Sequence, residues 1–212
     1  MTDFNFTVDK EFSKKHNEFF RDAKRLQISA GVLAVIMFAV TAVMLIVVGP
    51  TVLTVGLSIS FSFFGLICLI IIPVLPRQMG NPQQYYDLYD LAPAMIAQVN
   101  ARDMFLLALV DASTNKSIRV PALALRVVSS IPSVPREVGS RVPSMAVTSV
   151  QTLRDRDIFQ EISPMPVAWG TQDSKVLQEA DAAINKSEWK QLEENLDRVD
   201  EVMATKRNLL IL

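Results

Sequence analysis

The stretch 26-LQISAGVLAVIMFAVTAVMLIVVGPTVLTVGLSISFSFFGLICLIIIPVLP-76 contains fifty-one residues and not one Asp, Glu, Lys or Arg. A bilayer core of about 30 Å is crossed by roughly 20 apolar helical residues. One unbroken helix of this length would reach about 75 Å, far more than a single crossing requires. Gly49-Pro50-Thr51 sits near the middle. Proline lacks the amide a helix interior needs, and glycine accepts positive φ, so the stretch reads as two spans, Gln27 to Val48 and Thr51 to Val74, joined by a tight turn. A transmembrane hairpin is therefore expected over residues 27–76.

The flanks set the expected orientation. Lys10, Lys14, Lys15, Arg21, Lys24 and Arg25 precede the first span, and the turn carries no charge. The positive-inside rule then puts the N-terminus in the cytoplasm, and two spans return the rest of the chain to the same side. A cleavable signal is not expected: residues 1–25 mix five acids with six bases, the apolar run is too long for an h-region, and no small-x-small site ends it.

Residues 1–26 read as an amphipathic helix capped by Thr7, with Phe12, Phe19, Ala23 and Leu26 on one face. That face could lie in the headgroup layer, continue into the first span, or pack on the soluble domain. In the connector, residues 77–92, Tyr85, Tyr86 and Tyr89 suit either the membrane interface or the domain surface.

From residue 93 to 212 the texture changes. Short apolar runs over Pro93–Val99, Met104–Val110, Pro121–Val128, Val142–Val150 and Pro164–Trp169 alternate with turn signals. Five short strands at this spacing suggest a small antiparallel β-barrel of OB or SH3-like kind. The prolines at 164 and 166 suit a sheet edge, or a rigid turn that packs Trp169 into the core. After Gly170 a helix is expected from Asp173 or Ser174, then a longer one capped by Ser187 with Trp189, Leu192, Leu196, Val199 and Met203 on one face. Asn208 to Leu212 is apolar enough to be a last strand or a strap. The fold class expected is thus an α+β membrane protein: a two-helix hairpin, a small barrel and C-terminal helices.

Chemistry-bearing motifs are scarce. Among seven glycines there is no Gly-x-Gly-x-x-Gly, Walker loop or Gly-x-Ser-x-Gly pattern. One His and one Cys cannot make a zinc or haem site, and Cys68 lies inside the second span. Asp87/Asp90 and Asp155/Asp157 are carboxylate pairs of the kind common on solvated surfaces. No enzyme activity, metal or cofactor is expected.

Two surfaces remain as candidates. Ala30, Ala34 and Thr41 share a stripe of the first span, and Ser58, Ser62 and Gly65 share one of the second. Small residues let helices approach closely in lipid, either within the hairpin or against another membrane subunit. Residues 116–156 carry seven bases against two acids, a net +5, through Lys116, Arg119, Arg126, Arg136, Arg141, Arg154 and Arg156. Residues 157–201 carry a net −7. The basic face could meet anionic lipid or an acidic partner, or be neutralised by the acidic helices. Nucleic acid is not expected, because no aromatics interleave the arginines.

Arg141-Val-Pro-Ser-Met-Ala-Val147, Glu161-Ile-Ser-Pro-Met-Pro-Val-Ala-Trp-Gly-Thr171, Asn195-Leu-Asp-Arg-Val-Asp-Glu-Val202 and Leu209 to Leu212 carry a resemblance. The chain resembles an actinobacterial domain-of-unknown-function family of small membrane proteins with two spans and a compact domain. The resemblance covers nearly the whole chain and implies residence in the plasma membrane of a high-GC Gram-positive bacterium. It supplies no catalytic residues. By analogy it implies an accessory or scaffold subunit of a larger membrane assembly, such as a respiratory supercomplex. The alternative is a lipid- or envelope-regulating binding module on the cytosolic face.

Overall fold

The computed structural model describes residues 4–115, 117–148 and 157–212, apart from the side chains of 78 and 79. It divides into two compact units, residues 18–80 and a unit made of residues 1–17 with 81–212.

The first unit is the hairpin. Helix α2 runs Glu18–Val47 and α3 runs Val52–Met79. Only 11% and 17% of their most apolar windows are buried, so these are not the core helices of a soluble fold. Ile46 and Val52, at 83% and 96% exposure, illustrate an apolar surface of the kind that suits a bilayer. Between the helices Gly49 takes φ 81°. Thr51 and Thr54 then form a reciprocal cap: the Thr54 amide donates to Thr51 Oγ1, and the Thr51 amide donates to Thr54 Oγ1. The Thr54 hydroxyl also donates to the Gly49 carbonyl at 2.7 Å. These bonds satisfy two amides and one carbonyl of the turn without a charged residue.

Helix α3 continues through Pro73 and Pro76, beyond the end expected at Val74. Pro76 has no amide to give to the carbonyl of Ile72, four residues back. Gln27 of α2 supplies the missing donor, with Nε2 at 2.7 Å from the Ile72 oxygen.

The second unit is an α+β domain. Its strands are β1 Leu91–Ala92, β2 Ala94–Val99, β3 Met104–Asp111, β4 Pro121–Val128, β5 Ser144–Thr148, β6 Ile162–Pro166 and β7 Leu209–Ile211. They form two antiparallel sheets, ordered β1-β5-β6 and β2-β3-β4-β7. The five expected strands and the C-terminal strand are all present; the last residues of the fourth run, 149 and 150, fall outside the described residues.

The closed barrel is not. Pro93 divides one extended segment into β1 and β2, one in each sheet. Residues 139–142 bond to β2, through the Ile96 amide to the Ser140 carbonyl and the Val142 amide to the Ala94 carbonyl, before the chain enters β5. Strand β6 has Pro164 and Pro166 and so lacks two ladder donors. It meets β4 through side chains instead: Arg126 Nη1 donates to Ser163 Oγ at 3.2 Å and to the Pro164 carbonyl at 3.4 Å. The result is two open sheets stacked over one core.

That core holds Trp169, Trp189, Tyr86, Ile96, Leu106, Leu107, Leu123 and Met165, all below 2% or at 2% exposure. The prolines of β6 lead into a 3₁₀ turn, Val167–Trp169, that seats Trp169 inside with Nε1 donating to the Ser130 carbonyl. Helices α5 Ser174–Ala183, α6 Lys186–Glu193 and α7 Val199–Ala204 follow. Asp173 caps α5 as expected.

The single long helix expected from Ser187 is broken in two. Asn195 takes the Gln191 carbonyl with Nδ2 and accepts from Arg198 with Oδ1, competing with the helical ladder. The break re-aims the chain: Leu192, Val199 and Val202 are buried, whereas Met203 is 47% exposed.

The N-terminal segment is also divided. Helix α1, Lys10–His16, is capped by Asp9 rather than Thr7, and Asn17 ends it before α2 begins. It packs against α4, Pro82–Leu88, and the 3₁₀ turn. Gln83 of α4 holds residues 6–8 as a neighbouring strand would. Its Oε1 accepts from the Val8 amide and its Nε2 donates to the Phe6 carbonyl, both at 2.8 Å. The Asp9 amide donates to the Gly170 carbonyl at 2.9 Å. Val8 is buried in the main core, so this segment is part of the domain.

Candidate functional site

The small-residue stripes of the hairpin have two fates. Ala30 and Ala34 are buried with Cys68 against Ile72, inside the helix pair. Gly65 lies under the ring of Phe38, where an added Cβ would stand 3.0 Å from Cζ. These residues hold α2 and α3 together. Thr41, Ser58 and Ser62 instead line a groove of about 520 Å³ along the pair, walled by Leu45, Val55, Ile59, Phe63 and Leu66.

The hydroxyls differ in chemistry. Thr41 donates back to the Met37 carbonyl at 2.9 Å. The hydroxyl of Ser58 is buried and has no partner among the described residues. A polar atom unmatched in an apolar setting costs about 1–3 kcal/mol, so its position in a groove is chemically distinctive.

The arginines of the soluble domain are engaged individually. Arg119 forms an ion pair with Glu188 of α6, while half its own side chain remains exposed. The guanidinium of Arg126 lies 4.8 Å from the Trp169 ring centroid. Arg136 donates through Nη2 to the carbonyls of Asn100 and Asp103. Arg141 stacks 5.0 Å above Trp189, and Asp181 of α5 stands 4.0 Å from its Nη1. Lys116, Arg154 and Arg156 lie outside the described residues. The two Arg–Trp stacks escaped the sequence reading, because their partners are 43 and 48 positions apart and no periodicity links them.

Tyr86 is the connector tyrosine that the domain absorbs. Its hydroxyl donates to the Pro166 carbonyl at 3.1 Å and receives Asn17 Nδ2 at 3.5 Å. Burial pushes its phenol well above the usual value of a tyrosine. Tyr85 and Tyr89 pack part-buried against the same core.

Among the described residues, no three His, Cys, Asp or Glu side chains gather in a metal-ligating group. The arrangement offers two surfaces, a hairpin groove and an arginine-lined domain.

Two long, largely exposed apolar helices, each long enough to cross a membrane, and an α+β domain with two open sheets point to a membrane protein with two candidate spans. Residues 77–200, more than half of the chain, match the model of a protein family described as of unknown function, DUF3239, and the chain belongs to that family. A crystal structure from Corynebacterium diphtheriae, described as that of a candidate membrane protein, is similar at 42% identity and a TM-score of 0.56. The match covers 58% of this chain and all of that one. No protein with a curated description matches.

Proposed function

We propose that this chain is a non-enzymatic accessory or scaffold protein of the plasma membrane, with both termini in the cytoplasm. Its hairpin groove docks a transmembrane helix of a larger assembly. The observation that carries this reading is Ser58: a buried hydroxyl with no described partner, at the floor of a groove between two apolar helices. In lipid, small residues permit close helix approach, and a hydroxyl bonded across the interface adds about 0.6–2 kcal/mol. A respiratory supercomplex is one assembly of the right kind.

Gentle extraction of the full chain from its native membrane, followed by native mass spectrometry, tests the reading. Co-migration with a membrane complex, lost when Ser58→Leu fills the groove, is the expected result. A lone monomer or homo-oligomer overturns it.

The second reading, a cytosolic-face lipid-binding module, draws on the exposure that Arg119, Arg136 and Arg141 keep despite their internal partners. Hydrogen exchange of the full chain in anionic and in zwitterionic nanodiscs separates the two. Protection of residues 133–141 in anionic discs alone, abolished by Arg136→Glu with Arg141→Glu, supports the lipid reading.

A further inference from the structure

The soluble domain contains a cleft of about 460 Å³ between the 133–143 loop and helix α5. Its volume is that of a small-molecule site, and its lining divides by chemistry. Val142 and Ala168 form a buried floor, with Pro135, Pro143 and Leu177 as apolar walls. The rim carries Ser133, Ser140, Arg141 and Gln178, whose side chains make no hydrogen bond to another described residue.

Arg141 is the key group. Trp189, itself 2% exposed, supports its guanidinium from one face, which favours one orientation of the planar fork. Among the described residues the carboxylate paired with it is Asp181, 4.0 Å away and beyond hydrogen-bond distance, and the Arg141 side chain remains half-exposed. A guanidinium backed by an indole face, with donors that no described residue takes up in a hydrogen bond, on the lining of this cleft, matches the flat two-oxygen geometry of a carboxylate. Asp181 on the same rim repels a second negative charge and so disfavours a dianion such as phosphate.

We propose that this cleft binds a small organic monocarboxylate, its carboxylate on Arg141 and the hydroxyls of Ser133 and Ser140, its apolar body against Pro135, Pro143 and Leu177. This site is independent of the hairpin groove, and neither stands or falls with the other.

Equilibrium dialysis of labelled hexanoate against the full chain in nanodiscs, with empty discs subtracted, tests the proposal. Saturable binding is expected, with affinity lowered at least tenfold in Arg141→Gln, lowered severalfold in Ser140→Ala and raised severalfold in Asp181→Asn. Inorganic phosphate and hexan-1-ol should compete poorly. Circular dichroism checks that each variant keeps its fold, and Ser140→Ala serves if Arg141→Gln does not. Binding equal to that of empty discs, equal competition by hexan-1-ol, or unchanged affinity in the folded variants overturns it.

Discussion

The hairpin and the soluble domain use apolar residues in opposite senses. In the hairpin most large side chains face outward and the buried residues are small, Ala30, Ala34, Gly65 and Cys68 among them. In the domain the large side chains, Trp169 and Trp189 among them, are inside, and arginines lie over both indole rings. The difference follows from the surrounding medium. Water expels apolar area at about 25 cal/mol per Å², which rewards filling a core with bulk. Lipid gives no such force between helices, so closeness of approach and internal hydrogen bonds decide the packing.

The contrast breaks hardest at Trp169. Trp169→Ala should destabilise the domain by about 3–5 kcal/mol, as large aromatic truncations in cores do, while leaving hairpin helicity intact. Hydrogen exchange of the full chain in micelles reads the two units separately.

Gly170→Val comes next. A Cβ there would stand 2.9 Å from Phe6 Cζ and 3.0 Å from Tyr86 Cζ, so the domain should lose about 1–3 kcal/mol to overpacking and release residues 4–8 from protection.

Tyr86→Phe removes a buried hydroxyl that serves the Pro166 carbonyl and Asn17, at a cost of about 1–3 kcal/mol. The raised phenol pKa sets the pH dependence. The folded state holds the proton after the unfolded chain has released it, near pH 10, so this contribution to stability falls as pH rises beyond about 10. The gap in unfolding free energy between the parent and Tyr86→Phe should therefore narrow above that pH.

In the hairpin, Gln27→Leu leaves the Ile72 carbonyl without its donor and should cost only about 0.5–2 kcal/mol, read as a lowered midpoint of denaturation in mixed micelles. A loss as large as that from Trp169→Ala would mean that the hairpin is held by polar pairing far more than by fit.

The smallest effect is expected at the exposed Arg198–Glu201 pair. The Arg198 hydrogen bond lowers the Glu201 carboxyl, so any stability it gives is lost as pH falls through that lowered value. Glu201→Ala, which removes the pair and leaves the Arg198–Asn195 bond in place, should leave the melting temperature unchanged at neutral pH.

Much of this architecture is legible in the sequence because it rests on local pattern. Absence of charge marks the hairpin, Gly49-Pro50 marks the turn, and short apolar runs between turn residues mark the strands. The barrel misreading came from closure, which depends on whether distant edges pair. Pro164 and Pro166 signal an edge, but nothing local tells which strand lies opposite. The long C-terminal helix failed at Asn195, whose side chain competes with the helix only once Gln191 and Arg198 are within reach. For the N-terminal segment, packing on the domain is one of three readings the sequence leaves open, and nothing local selects it because the anchor, Gln83, lies some 75 residues away.

For the candidate surfaces, the small-residue stripes were visible, but not which half would be spent inside the hairpin. Gly65 and Ser58 look alike as small residues; only the ring of Phe38 over one and the empty groove beside the other tell them apart.

The self-capping turn at Gly49, Thr51 and Thr54 also bears on how the hairpin is made. Carrying one elementary charge across a membrane held at 100 mV involves about 2.3 kcal/mol of electrical work. The segment that must cross has no ionic side chain, and the Thr51 and Thr54 amides and the Gly49 carbonyl find their partners within the turn. The two helices can therefore enter the bilayer together, and the membrane voltage neither drives nor opposes their insertion.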